Sequence, residues 1–192
     1  MKEGCSNFRR PYFQINGGIA MIAFIAIVVG IIFCDQLSKW LAVIFLKGNG
    51  STVIIKDILR FTYLENRGAA FGMLSNHRWV FLVISTVAIA AIIFYMVKYK
   101  PQNKIMIVGI SFMAGGGIAN MIDRVALGYV IDFIDFYAFP KIWAYVFNVA
   151  DSFVCVGAGF MVLYLIMETI KEVKVMKASK LAEATEENDD AE

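Results

Sequence analysis

The sequence predicts a membrane all-α protein, a four-transmembrane-helix bundle carrying a small β-like or irregular extracytoplasmic platform. Three observations predict it. Of 192 residues, 59% are hydrophobic and only 18% charged, with a mean hydropathy of +0.67, far from the composition of an ordinary soluble domain. Four apolar stretches each approach the roughly 20 residues that a hydrocarbon core requires. The charges fall in blocks between and after those stretches instead of spreading over a surface.

The first stretch, residues 17–34, follows Lys2, Arg9 and Arg10. Its apolar run exceeds the roughly 7–15 residues of a secretory signal core, and no small-residue cleavage site precedes "CDQLSKW", so it is expected to stay as a span. The loop 47–78 holds "STVIIKDILRFTYL", whose β-branched and aromatic residues suggest a short strand pair or an interfacial platform, able to act as a lid. Spans 79–97 and 105–122 are joined by "KYKPQNK". The loop 123–145 contains "LGYVIDFIDFY", in which Gly128 suits a turn and alternation from Val130 points Asp132 and Asp135 to opposite sides of an extended stretch. The last span covers 146–167. Residues 171–192 form a charged tail ending "LAEATEENDDAE", expected to be disordered and solvated because it lacks apolar periodicity. With no internal repeat or low-complexity linker, residues 1–170 read as a single membrane domain.

Lysines and arginines before span one, between spans two and three, and after span four place these flanks and both termini in the cytoplasm. The other two loops then lie outside. A net charge of +2 gives no reason to expect nucleic acid. Cys5, Cys34 and Cys155 are widely separated and form no CxxC, so neither a disulfide framework nor a metal site is expected. His77 is the sole histidine and stands beside Arg78 in a polar stretch, a poor basis for a Ser-His or Cys-His nucleophile.

An ionisable side chain in the apolar zone costs about 2.5–3.5 kcal/mol on insertion scales, so each needs a partner or a wet cavity. Asp35 and Lys39 lie at i and i+4 near the outer end of span one, acid first, as a helix-face ion pair would. In "GGGIANMIDR", Gly115, Gly116 and Gly117 allow close approach of another helix or of a substrate backbone, with Asn120 and Arg124 at i and i+4 and Asp123 beside them. A loop with Pro140 separates Asp132 from Asp151, so the chain can fold back and bring two carboxylates together. Such a pair cannot ionise fully in a low-dielectric pocket and holds one proton between a base and an acid. Aspartic peptide hydrolysis and a proton or cation pathway both use that arrangement, and the residues alone leave the two open. A non-catalytic lipid-binding scaffold would leave the two aspartates unexplained.

In order along the chain, "DQLSK", "ENRGAAFG", "GGGIANMIDR", "VIDF" and "FNVAD" resemble the characteristic boxes of bacterial lipoprotein signal peptidase, also called signal peptidase II. The resemblance covers roughly residues 15–170 and implies an aspartic endopeptidase of the bacterial cytoplasmic (inner) membrane. Such an enzyme cuts prolipoproteins just before a diacylglyceryl-modified cysteine. It works without metal or organic cofactor, as a monomer, with prolipoproteins and membrane lipids as partners. The family's motifs put the catalytic dyad on Asp132 and Asp151, and make Asp123 a structural acid and reserve candidate. The remaining family positions carry over as Asp35, Lys39, Asn66, Gly68, Ala70, Phe71, Gly116, Asn120, Arg124, Asn148 and Ala150. Asn66 and Asn120 are expected to hold an extended substrate backbone through their amides. Gly68 and Ala70 would let that backbone approach, and Phe71 would wall the cleft. Asn148 would orient Asp151 from the same helix face, and Arg124 would bind a carboxylate or lipid phosphate. Ala119 stands where the family commonly has glycine.

Overall fold

A chain in lipid must satisfy its backbone hydrogen bonds internally, so each apolar stretch folds as helix. The computed structural model describes residues 16–68, 78–138 and 145–189, the side chains of 78 and 181–189 excepted. In chain order the elements are α1 (Gly17–Leu46), β1 (Thr52–Ile55), β2 (Leu59–Asn66), α2 (Arg78–Tyr99), α3 (Lys104–Ala126), β3 (Val130–Phe136), β4 (Val146–Phe147) and α4 (Val149–Asp189). All four helices are long and apolar enough to cross a membrane.

Helix α3 is central and packs on the other three helices. Its glycine triplet explains how one helix meets three neighbours, because successive residues point about 100° apart. A Cβ on Gly115 would sit 3.0 Å from Ile31 of α1, one on Gly117 would sit 3.7 Å from Ile89 of α2, and one on Gly116 would collide with the Ala150 carbonyl oxygen of α4. Further along, Gly109 and Gly157 let the backbones of α3 and α4 approach each other closely. Ala20, Phe24 and Val28 of α1, Met96 of α2, and Ile107, Ile110 and Ala114 of α3 form the apolar core of that half. Lys100, just past α2, lies against Gly17, so the start of α1 and the turn between α2 and α3 share one end of the bundle.

The sheet caps the opposite end. Its four strands are antiparallel in the order β1-β2-β3-β4, and Phe61 and Phe133 meet edge to face at 5.9 Å. These rings pack with Tyr63, Ile134 and Val149 on Ala42 and Leu46 of α1. Gly128, with φ of +86°, makes the turn that feeds β3.

Three features differ from the sequence expectations, and a fourth extends them. Helix α1 runs on to Leu46, well beyond residue 34, because Asp35 and Lys39 are neutralised within the bundle and no Gly or Pro intervenes before Gly48. Helix α4 starts at Val149, since residues 146–147 belong to β4. The strand pair expected in the loop 47–78 is present as β1 and β2, and the loop after α3 extends it with β3 and β4 into a four-strand sheet. The tail expected to be disordered is helical as far as Asp189. Residues 168–189 contain neither Gly nor Pro and are rich in Glu, Lys and Ala, which favour helix even without apolar periodicity. Lys171 and Glu168 pair at 2.6 Å across one turn.

Candidate active site

The site forms where β3, β4 and the first turn of α4 meet α1 and α3. Asn148 stands just ahead of α4, and its side-chain Oδ1 accepts the Asp151 N–H at 2.8 Å. In return the Asn148 backbone N–H donates to Asp151 Oδ2 at 3.3 Å. This reciprocal cap satisfies donors that a helix start leaves free, and the helix dipole favours the carboxylate there. A carboxylate at the mouth of an apolar helix is thereby accounted for. Asn148 does not share a helix face with Asp151, as expected from the sequence; it precedes the helix as its cap.

Asp132 is 1% exposed, on the face of β3 turned toward that cap. Its Oδ1 accepts from Asn148 Nδ2 at 2.6 Å, and its Oδ2 from Asn66 Nδ2 at 2.8 Å. Leu64 of β2 is directly opposite Asp132, which puts Asn66 on the diagonal of the same face, within reach of a long polar side chain. Three residues on, Asp135 points the other way and pairs with Arg60 at 2.6 Å. Burial first, then the neighbouring Asp151 carboxylate, push Asp132 up to about 7.

Below the two carboxylates lies a buried polar network. Lys39, 2% exposed, donates to Asp35 at 2.7 Å, to Asp123 at 2.8 Å and to Asn120 Oδ1 at 2.8 Å. Asp35 Oδ1 also accepts the Ala150 N–H at 2.8 Å, tying α1 to the first turn of α4. Asn120 Nδ2 donates to Asp151 Oδ1 at 2.8 Å. All four oxygens of Asp132 and Asp151 thus receive an N–H donor, three from side-chain amides and one from the backbone of Asn148. Gly116 makes this possible: without a side chain it lets α3 touch Ala150, so that Asn120 one turn later reaches Asp151.

A family model described as signal peptidase (SPase) II matches residues 27–167. A lipoprotein signal peptidase of Caldanaerobacter subterraneus subsp. tengcongensis is 47% identical over 143 residues, spanning 73% of this chain and 95% of that protein. Another, of Halothermothrix orenii, is 40% identical over 139 residues, spanning 72% and 92%. The chain belongs to the signal peptidase II family. Two solved structures, each described as a bacterial membrane enzyme determined by the in meso method, share its architecture at 30% identity. The one at 2.3 Å resolution has a TM-score of 0.70, covering 83% of this chain and 94% of that one. The one at 1.9 Å has a TM-score of 0.67, covering 81% and 97%.

Set in this protease family, the boxes that are far apart in sequence converge. Asp35, Lys39, Gly116, Asn120, Asp123, Asn148 and Ala150 are all buried around the two aspartates. Asn66 and Asn120 have partners other than those expected. Their amides are committed to Asp132 and Asp151, and the Asn66 Oδ1 accepts the Gly68 N–H at 3.1 Å. Carboxylates outcompete a neutral backbone for such donors. Gly68 is buried at the end of this turn; Ala70 and Phe71 lie outside the described residues. Asp123 accepts from Lys39, Gln36 and the Ile131 N–H, the contacts of a structural acid joining α3 to α1 and β3. Arg124 lies over Phe81 at 5.3 Å, donates to the Asn120 carbonyl at 3.3 Å, and interacts electrostatically with Asp151, Asp132 and Asp123. The sequence reading passed over Gln36, which donates to Asp123 Oδ1 at 2.8 Å. Its place inside "DQLSK" is the only signal that could have flagged it. Ala119 is fully buried with its carbonyl accepting from Gln36, so its methyl fits the packing.

Proposed function

We propose that this chain is a membrane aspartic endopeptidase that removes the signal peptide from diacylglyceryl-modified prolipoproteins, cutting before the lipid-modified cysteine. The observation that carries the reading is the pair Asp132 and Asp151, held by N–H donors on all four oxygens at the sheet end of a four-span bundle. Membership of the signal peptidase II family supports the substrate class.

The signal helix of the substrate lies beside the spans, with its acyl chains in lipid and the scissile peptide bond in the polar site. One ionised carboxylate takes a proton from water as the water oxygen attacks the peptide carbonyl. The other, protonated, donates its proton to the carbonyl oxygen, and a tetrahedral diol forms. The C–N bond then breaks as the first carboxyl gives its proton to the leaving amine, while a diol hydroxyl returns its proton to the second. Fixed donors hold both acids without reorganising during the reaction. The protein sits in the bacterial cytoplasmic membrane with both termini in the cytoplasm and the dyad at the outer face. It acts as a monomer, with residues 1–170 as the peptidase domain.

The test is cleavage of a purified diacylglyceryl-modified prolipoprotein by the detergent-solubilised protein, wild type beside Asp132→Asn and Asp151→Asn, with folding checked in each. Cleavage before the cysteine, lost in both variants, is the expected result. Near-normal turnover in either variant removes that residue from the chemistry.

A further inference from the structure

The buried lysine beneath the dyad has a geometry that goes further than a salt bridge. Its three N–H bonds are all used, on Asp35, Asp123 and the Oδ1 of Asn120. An ammonium has no acceptor, so the Asn120 amide can face it only with oxygen. The amide's N–H₂ end is thereby turned to Asp151 Oδ1. The same logic continues outward. The Asp151 backbone N–H can meet only the oxygen of Asn148, so the Asn148 nitrogen is turned to Asp132 Oδ1 and Asn120 Oδ1. A flipped Asn120 would present oxygen to Asp151 Oδ1, a contact that requires a proton on the aspartate.

We infer that Lys39 is a positioning residue for the dyad: by fixing the Asn120 carboxamide it keeps an N–H on Asp151 Oδ1 and so favours the ionised form of that aspartate, the form a general base needs. This rests on the dyad reading above. Three further features agree. Asp151 takes part in the first-turn cap of α4, where a helix favours negative charge. Asp132 sits on a strand, without a helix terminus of its own. The charged groups that surround the pair are Asp35 and Lys39 on α1, and Asp123 and Arg124 on α3; Lys39 reaches the dyad through Asn120, which touches Asp151 itself.

Two variants test it through the pH profile of kcat/KM for cleavage of a diacylglyceryl-modified prolipoprotein. In Asn120→Asp the introduced carboxylate keeps Lys39 as an ionic partner but can donate to Asp151 only when protonated. Its acid limb is expected to move up by about one pH unit or more, because a like charge beside a carboxylate disfavours its ionisation. In the charge-balanced Asp35→Asn/Lys39→Met variant the amide is free to flip. Its acid limb is expected to move up by about one unit, with KM changing less than about threefold, since only the reacting state is affected. A folded Asn120→Asp protein with the wild-type profile overturns the inference, and it decides alone if the double variant does not fold. If both fold, a wild-type profile in the double variant overturns it as well. Asp151→Asn is assayed alongside: if that variant cleaves normally, the dyad reading fails; if it is inactive while the two profiles are unchanged, only the role of Lys39 fails.

Discussion

Asn148 performs two jobs that substitution can separate. Its Oδ1 caps α4, and its Nδ2 donates to Asp132 Oδ1 at 2.6 Å and to Asn120 Oδ1 at 3.1 Å. Alanine removes both. Losing an Asn cap costs about 1 kcal/mol, and leaving buried acceptors without a donor costs about 1–3 kcal/mol more, for a total near 2–4 kcal/mol. Serine restores the cap oxygen but is too short to reach Asp132, so Asn148→Ser recovers about 1 kcal/mol of that loss. In the proposed reaction, catalysis depends on the other bond. A hydrogen bond to a charged carboxylate contributes about 1.5–3 kcal/mol, equivalent to roughly 10- to 10²-fold in rate when it is needed in the transition state. Thermal unfolding in detergent and cleavage kinetics, measured on the same preparations, give the two numbers. Serine should restore stability in part and leave turnover as low as alanine does. Turnover rising with stability in Asn148→Ser would refute the reasoning, because the cap would then be all that Asn148 contributes.

The pH dependence follows from Asp132, raised to about 7 against a usual 3.8. If Asp132 works protonated, kcat/KM falls above about pH 7 with the slope of one proton, and a flat profile to pH 9 would contradict it. For stability, a raised carboxyl is favourable below its unfolded value near 4 and loses that contribution as pH rises through 7. The loss is about 4 kcal/mol at most, and melting temperature against pH should show it in wild type and much less in Asp132→Asn. Gly116→Ala should cost about 1–3 kcal/mol by overpacking and cut cleavage, because its Cβ would meet the Ala150 carbonyl and sit 2.7 Å from Val154 Cγ2. Gly117→Ala, with Ile89 at 3.7 Å, should be neutral or slightly stabilising in the same unfolding assay. Asp135→Asn should leave cleavage within about twofold, since its partner is the half-exposed Arg60 and such pairs contribute under about 1 kcal/mol; a tenfold loss would place Asp135 in the site.

The sequence by itself determined the four spans, the sheet-forming loops and the boxes that mark the family, because these are local properties: apolar runs of membrane length, β-branched alternation, and polar residues where lipid should exclude them. It also determined that Asp132 and Asp135 point apart, since a strand has a period of two. It missed the helicity of the tail because amphipathic periodicity was weighed above residue propensity, and the charged segment has the second without the first. Only the tertiary structure decided the partners. That Asn120 and Asn66 serve the aspartates, that Asn148 both caps α4 and holds Asp132, and that Lys39 sits under Asn120 depend on α1, α3, β2 and β3 meeting at one point. A side-chain amide in a sequence can donate or accept with either end. Its role is fixed only when folding surrounds it with groups, such as an ammonium or a backbone N–H, that leave it a single orientation.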